Sequence, residues 1–515
     1  MSAISFGEEV LPRALFDERI ERAASALASV GIRRGDGIAV MMRNEPAFIE
    51  ASMAAGSLGA FTVPINWHCV ADDLRYILED SGVSALFIHS DLLEQMRSGI
   101  SEHIRIFVVE TPDLIRKTYR LPPVDASLPA GATPWAPFRD GFPRRRHPPE
   151  TLPQIVFYTS GTTGRPKGVK RIMGDAEMAI IAGVMARSYG FLGEYGQAGE
   201  ISTVVTGPMY HGLPNAHSNF TVRAGASVTI MPRFDPEELL RIIETKRITH
   251  LNMVPIMFYR LLQLPPEVRG KYDLSSLRYV VHGAAPIAPA IKREMIAWWG
   301  PVIHEYYGAT EVGNVVFCNS EEWLAHPGTV GKAPPGTDVL IVDRDGNQLP
   351  AGEVGEIVCR IQGAGDMTYL NHDEDRRAME LVPGFIGAGD MGYLDEDGFL
   401  FICDRVKDMI ISGGVNIYPA QIEAALHKMP GVADCAVFGI PDQEFGESVH
   451  AVIELKPDAP AVTAATVREY LREQVPGYMS PKTVEFATDL PREESGKLFK
   501  RKLREPFWQG MDRRI

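Results

Sequence analysis

Between Phe16 and Ile88 the chain alternates between two periodicities, and this alternation limits the fold more than any other feature. Phe16, Ile20, Ala23, Ala24, Leu27 and Val30 recur at helical spacing, and Gly31 is placed to end that helix. Residues 37–42 read as a strand, 45–58 as a helix, 60–65 as a strand, 71–81 as a helix and 85–88 as a strand. Short apolar strands separated by helices imply parallel pairing with helices on the sheet faces. The pattern resumes with a helix over 175–191, a strand over 202–206, a strand over 227–231 and a helix over 236–246. A further helix over 250–264 would bury Met253, Met257, Phe258 and Leu261, and 278–281 reads as a strand. Beyond Val330 the texture turns β-rich, with hairpins expected at Asp345-Gly346 and Asp397-Gly398. From Val406 onward, strands over 435–438 and 450–455 and a helix over 464–474 make an α+β unit of about one hundred residues, enough to fold alone. A chain of 515 residues exceeds one core. The expected class is α/β: a large N-terminal domain of layered sheets with a β-rich subdomain, then a small α+β C-terminal domain.

The stretch Tyr158-Thr159-Ser160-Gly161-Thr162-Thr163-Gly164-Arg165-Pro166-Lys167-Gly168-Val169 follows the apolar run Ile155-Val156-Phe157, which reads as a buried strand. The three glycines of this stretch, Gly161, Gly164 and Gly168, can bring backbone N–H groups close to an anion, the hydroxyls add donors, and Lys167 adds a point charge. It is not a Walker A loop, because Gly168 rather than Ser or Thr follows the lysine. A plain solvated linker has no need of this ordered mix.

A formal charge of −14 argues against a nucleic-acid partner, so an anionic substrate must be held by local cations. Five scattered cysteines, Cys69, Cys318, Cys359, Cys403 and Cys435, show no metal-ligand spacing and read as buried free thiols of a reducing compartment. The N-terminus lacks a signal peptide, and no apolar run is long enough to span a bilayer, so a cytoplasmic protein without a transmembrane segment is expected. Residues 121–153 are rich in proline and glycine and read as a surface connection, with Arg144-Arg145-Arg146 as a solvated charge run.

The twelve-residue loop resembles the signature of the adenylate-forming superfamily, which includes acyl-CoA synthetases, peptide-synthetase adenylation domains and luciferases. Further stretches match it. Tyr306-Tyr307-Gly308-Ala309-Thr310-Glu311 combines an aromatic that can stack on a base, a hydroxyl donor for phosphate and a hard oxygen for Mg²⁺. The resemblance assigns Tyr307 to adenine, Thr310 to phosphate and Glu311 to metal. It adds His282-Gly283-Ala284-Ala285-Pro286 to the nucleotide site, with Gly308. Gly387-Ala388-Gly389-Asp390 places Asp390 on the ribose, although Ala388 stands where the family usually has threonine. In Cys403-Asp404-Arg405-Val406-Lys407-Asp408, Arg405 corresponds to a nucleotide contact and Lys407 to the hinge between two domains, 1–405 and a mobile 406–515. Gly413-Gly414 matches the loop beside the pantetheine tunnel of coenzyme A (CoA). Lys497, ahead of the basic run Lys500-Arg501-Lys502, matches the adenylation lysine.

Gly207-Pro208-Met209-Tyr210-His211-Gly212 carries the acid end of the site in this family. His211 lies between acyl pocket and thiol tunnel, and Gly212, Gly308 and Gly313 belong to stretches that line the pocket. Amino-acid-activating relatives have an aspartate where Gly212 stands, so an acid without an α-amino group is implied. Small residues there imply room for a fatty, steroidal or aryl acid, and the tail 499–508 looks most like fatty-acyl and bile-acid ligases. The resemblance implies an ATP- and Mg²⁺-dependent carboxylic acid:CoA ligase with Thr310, Glu311, His211 and Lys497 at the reacting groups. The alternative is delivery of the acyl group to a carrier protein or another acceptor. The expected partners are a small carboxylic acid, ATP and CoA, with a homodimer as the possible assembly. Because no carrier domain follows before Ile515, a stand-alone enzyme is expected.

Overall fold

The computed structural model describes residues 2–122, 131–145, 154–159, 165–172, 174–456, 459, 462–492 and 498–509. The chain forms two compact units. The first comprises Met1–Ala284, Met295–Asn314 and Ile361–Ala378, and the second comprises Ala285–Glu294, Val315–Arg360 and Met379–Ile515.

Two parallel sheets organise the first unit. One runs Ala132–Pro134, Arg105–Val109, Ala85–His89, Gly37–Met41, Phe61–Pro64 and Gln154–Ile155, all neighbours parallel. The other carries Ile303–Ala309, Tyr279–His282, His250–Met253, Ser202–Val205, Ser227–Ile230 and Ala3–Phe6 in parallel order, with Glu9–Pro12 antiparallel at its edge. The helix Arg13–Ser29 turns Phe16, Ala23, Ala24, Ala26 and Leu27 inward. Its alanines meet the helix Pro46–Ser57, which buries Phe48, Ala51, Ala54 and Ala55. Each large side chain fully buried there contributes about 1.5–3 kcal/mol. Pro46 pre-sets φ at the first helical position, where its missing N–H costs nothing.

Three expectations need correction. Residues 250–253 form a strand rather than the first turn of a helix. Asn252 and Met253 are buried between parallel neighbours, and the helix starts only at Pro255, ending at Leu262. A helix-period count cannot separate a four-residue buried strand from a helix that follows it directly. The run 155–157 is split: Gln154–Ile155 joins the six-stranded sheet, whereas Phe157–Thr159 pairs in a separate three-stranded sheet with Lys167–Ile172 and Asp366–Tyr369. Finally, the connection over 121–153 is not all surface. Trp135 is buried, and Arg139 lies against the buried Glu50 carboxylate at 2.9 Å, which Trp135 Nε1 also reaches. Burial pushes Glu50 above the usual carboxylate range, against the opposing pull of Arg139. Arg144 pairs with Glu21, and Arg146 lies outside the described residues.

In the second unit, Thr337–Val342, Gly355–Ile361, Ile386–Leu394 and Leu400–Arg405 form one sheet. The Asp397-Gly398 turn closes as expected, with Asp395 N–H on the Phe399 carbonyl at 3.0 Å and Gly398 at φ +80°. The C-terminal α+β unit has its own sheet of Val415–Ile417, Ile410–Ser412, Gly446–Leu455, Val432–Asp442 and Thr483–Ala487. Helices Pro419–Leu426 and Ala464–Gln474 bury Ile422, Leu426, Val467 and Leu471 against Val437, Ala451 and Ile453.

All five cysteines are free thiols; Cys69 is half-buried and the other four are buried. Burial, with Asp73 nearby, pushes the Cys69 thiol up to about 12, and burial pushes Cys403 up to about 11. Cys359 and Cys435 are raised by the same cause. Among the described residues no helix is long and apolar enough to cross a membrane.

Candidate active site

Parallel strands all end on one side, so loops leaving their carboxyl ends converge along one edge of the sheet. Ser202–Val205 leads to His211 and Gly212, Tyr279–His282 to Gly283 and Ala284, and Ile303–Ala309 to Thr310 and Glu311. Candidates separated by a hundred residues therefore leave the same sheet edge.

The strands on either side of the phosphate loop, Phe157–Thr159 and Lys167–Ile172, pair antiparallel. Thr159 and Lys167 are cross-strand partners at the base of the loop, and Ser160, Gly161, Thr162, Thr163 and Gly164 lie outside the described residues. Lys167 is only 6% exposed, and its Nζ lies 5.8 Å from the Tyr369 ring centre. One oxygen of Glu311, Oε1, accepts from Tyr369 Oη at 3.1 Å and from Thr159 Oγ1 at 3.4 Å. Its other oxygen accepts no hydrogen bond among the described residues. A carboxylate oriented by two hydroxyls with one oxygen left over fits a hard divalent cation such as Mg²⁺. Arg171 Nη2 reaches the carbonyls of Thr310 at 3.3 Å and Glu311 at 3.4 Å. Burial lowers the Arg171 pKa from its ordinary value, and the Glu311 charge opposes that shift.

Neither Tyr369 nor Arg171 stands out in the sequence. A signal for Arg171 existed: it lies four residues beyond Lys167 on one strand, and period two puts both on the same face. Tyr369 had no such signal, since its strand pairs with the hairpin from two hundred residues away.

Gly308 has a second reason to be glycine. A Cβ there would stand 2.1 Å from the Gly313 carbonyl oxygen and 2.8 Å from Asn314 Cα. The two backbones touch, whatever Gly308 also lines. Gly308→Ala is expected to destabilise the protein by about 1–3 kcal/mol, the usual penalty of overpacking. Thermal unfolding of wild type and variant would measure it; an unchanged midpoint would mean that the backbones part at no cost. Gly313 adopts φ +84°, where a side chain would also press on Arg171 and Ile361. A Cβ at Gly283 would meet Tyr306 at 3.0 Å, and Ala284 holds φ +67°, a left-handed conformation that costs a non-glycine residue about 1–3 kcal/mol. Such strain gathers at functional sites. Ala285 opens the second unit. Tyr307 is 7% exposed within its strand, so little of its ring is open to a base.

His211 stands directly before the helix Gly212–Arg223, with its ring 4.3 Å from that of Tyr210. A Cβ on Gly212 would lie 3.8 Å from the Phe157 ring, an ordinary contact. Phe157 starts the strand that carries Thr159, so the acid-side segment borders the phosphate hairpin.

In the second unit, Asp390 and Arg405 sit opposite each other on paired strands, with Arg405 Nε 3.4 Å from Asp390 Oδ1. Asp390 thus lies within the strand Ile386–Leu394. Lys407 lies in a single 3-10 turn, Val406–Asp408, whose Lys407 carbonyl and Asp408 carboxylate both accept from Arg504 at 3.3 Å. Gly413 and Gly414 form a two-residue hairpin turn with φ +57° and +80°, the pair of signs a type I′ turn needs. A Cβ on Gly413 would meet Phe445 at 2.9 Å, whereas Gly414 faces open space. Lys497 lies outside the described residues. Lys500, which reads as one of a solvated basic run, instead holds Glu423 at 2.8 Å. Burial lifts the nearby Asp404 carboxyl to about 6, with Lys500 opposing the shift.

Residues 3–367 match the family model described as AMP-binding enzyme, and residues 421–497 match the AMP-binding enzyme C-terminal domain. A fatty acid–[acyl-carrier-protein] ligase, ScoC, from Streptomyces coeruleorubidus is 33% identical, the alignment covering 96% of this chain and 91% of that protein. A feruloyl-CoA synthase from an Amycolatopsis species is 32% identical over 98% and 96%. Among solved structures, ATP-bound MatB from Rhodopseudomonas palustris superposes with a TM-score of 0.82 at 26% identity, covering 98% of this chain and 96% of that one. The amide bond synthetase McbA from Marinactinospora thermotolerans gives 0.81 at 27% identity, with the same coverage.

Proposed function

The chain belongs to the AMP-binding enzyme family and acts as an ATP-dependent, AMP-forming acid–thiol ligase, and on that premise we propose its acid, its acceptor and the residues that carry each step. The acid is an apolar monocarboxylic acid without an α-amino group, and the thiol is that of CoA. The observation that carries the reading is the Glu311 carboxylate, held by Tyr369 and by Thr159 of the phosphate hairpin at the carboxyl ends of parallel strands.

A carboxylate has no usable leaving group until it attacks the α-phosphate of ATP and expels pyrophosphate. The barrier is the approach of two anions. Lys167, Thr159 and residues 160–164 bind the phosphates, with Thr310 as a further donor. Mg²⁺ on Glu311 would neutralise phosphate charge. Gly283, Ala284, Ala285, Gly308 and Tyr307 border the adenine, and Asp390 and Arg405 hold the ribose. Lys497 closes on the developing charge between carboxylate and α-phosphate. His211, Gly212, Gly308 and Gly313 line the acid pocket. The thiol then attacks the acyl carbon and AMP leaves. Lys407 is the hinge about which 406–515 turns between the steps, bringing Gly413 and Gly414 to the pantetheine arm.

ScoC favours a second reading for the acceptor, a carrier-protein thiol. One experiment addresses acid and acceptor: pyrophosphate release from ATP and Mg²⁺ over short, medium, long, aryl and steroidal acids, with CoA, a carrier protein or neither. The expected result is acid-dependent pyrophosphate and AMP, with thioester appearing only when CoA is added. ADP and phosphate as stoichiometric products would sink the scheme, and free amino acids as best substrates would overturn the role of Gly212.

A further inference from the structure

Asn44 follows the strand Gly37–Met41 and precedes the helix Pro46–Ser57, yet its side chain ends on the loop that carries His211 and Gly212. Its Nδ2 donates to the Gly207 carbonyl at 2.8 Å and to the Met231 carbonyl at 3.1 Å. Its Oδ1 accepts from Met209 N–H at 2.7 Å. That uses three of the four hydrogen bonds an amide side chain can make. The Met209 carbonyl is held from the other side by Asn215 Nδ2 at 2.7 Å, and Asn215 Oδ1 in turn accepts from Asn219 Nδ2 at 2.9 Å. All three asparagines are buried.

Both neighbours of Asn44 are fixed to the six-stranded sheet. Arg43 Nη1 donates to both Asp91 carboxylate oxygens, at 2.8 and 3.0 Å, and the Arg43 backbone N–H donates to His89 Nδ1 at 3.2 Å. His89 Nε2 meets Glu45 Oε1 at 2.7 Å. One rigid sheet therefore reaches the loops that leave the carboxyl ends of Ser202–Val205 and Ser227–Ile230 in the other sheet. Residues 206–211 belong to no helix or strand, so side-chain bonds do for them what a ladder does elsewhere.

We propose that Asn44 is a positioning residue for acid specificity. It fixes the Gly207–Gly212 segment against Phe157, and thereby the width of the acid pocket, without touching the acid. This rests on the reading of His211 and Gly212 as pocket lining. An amide suits the task because one side chain must both donate to two carbonyls and accept from an N–H. Asparagine is also short enough to hold them without slack.

The test compares Asn44→Ala and Asn44→Asp with wild type, in hydrogen exchange and in acid-dependent pyrophosphate release. Asp keeps the acceptor for Met209 N–H but turns a charged oxygen toward the Gly207 and Met231 carbonyls, so it is the harsher change, and Ala is the variant that keeps the fold if Asp does not. Exchange in the peptide spanning 206–212 should rise by about tenfold or more in the variants, while the six-stranded sheet keeps its protection. The ratio of kcat/KM between a bulky and a small acid should shift by about tenfold, with KM for ATP changed less than about twofold. Uniform loss of protection, or equal losses for every acid and for ATP, would make Asn44 a structural residue and overturn the proposal. Local loosening with an unchanged acid ratio would also overturn it. A wild type that releases no acid-dependent pyrophosphate would overturn the reading of the site and with it the specificity role, and the exchange arm would still decide whether Asn44 pins the segment.

Discussion

Lys497→Ala is expected to slow acyl-adenylate formation by about a hundredfold to a thousandfold, the usual cost of removing one donor aimed at developing charge, or about 2.7–4 kcal/mol. Thioester formation from supplied acyl-adenylate should stay near wild type, because by then the charge between carboxylate and α-phosphate no longer exists. Timing the two half-reactions separately gives both numbers. The motivation is the match of 421–497 to the family's C-terminal domain, which ends on this lysine. Equal slowing of both steps would make Lys497 structural and would remove the case for domain alternation about Lys407.

Glu311→Gln is the second large effect. The amide oxygen can still accept from Tyr369 and Thr159, so the hairpin and its neighbours should hold their places. What disappears is the negative charge. Adenylate formation should fall by about a hundredfold or more, and the Mg²⁺ concentration needed for half-maximal rate should rise. The thermal midpoint should move little. If the rate fell while the Mg²⁺ dependence stayed the same, Glu311 would not be the metal carboxylate.

Much of this site can be read in the sequence because the family's motifs are local: a loop between paired strands, a strand end with its turn, a two-glycine turn. Periodicity set the α/β class for the same reason, since buried parallel strands and their crossover helices are each written in consecutive residues. What escaped depends on distant pairing. Tyr369 meets Glu311 only because its strand lies beside Lys167–Ile172. Asn44 looks like an ordinary residue between a strand and a helix until the second sheet is in place. Lys500 falls in a run that reads as a basic tail and Arg139 in a stretch that reads as surface, and each meets a carboxylate that another element brings to it. Long polar side chains carry no mark of which way they turn, and the tertiary fold decides it. Gly308 taught a related lesson: a small residue read as room for ligand also answers to a backbone contact.

The thiol inventory has a practical consequence for watching the enzyme move. Alkylating reagents attack thiolates, and burial holds Cys69, Cys359, Cys403 and Cys435 as protonated thiols, while Cys318 is buried. A cysteine introduced at an exposed position such as Tyr478 would therefore react with a maleimide dye well before the native five. With a second dye placed in residues 1–405, paired fluorophores would test in real time whether 406–515 turns between the two steps, on an enzyme that keeps every one of its own cysteines.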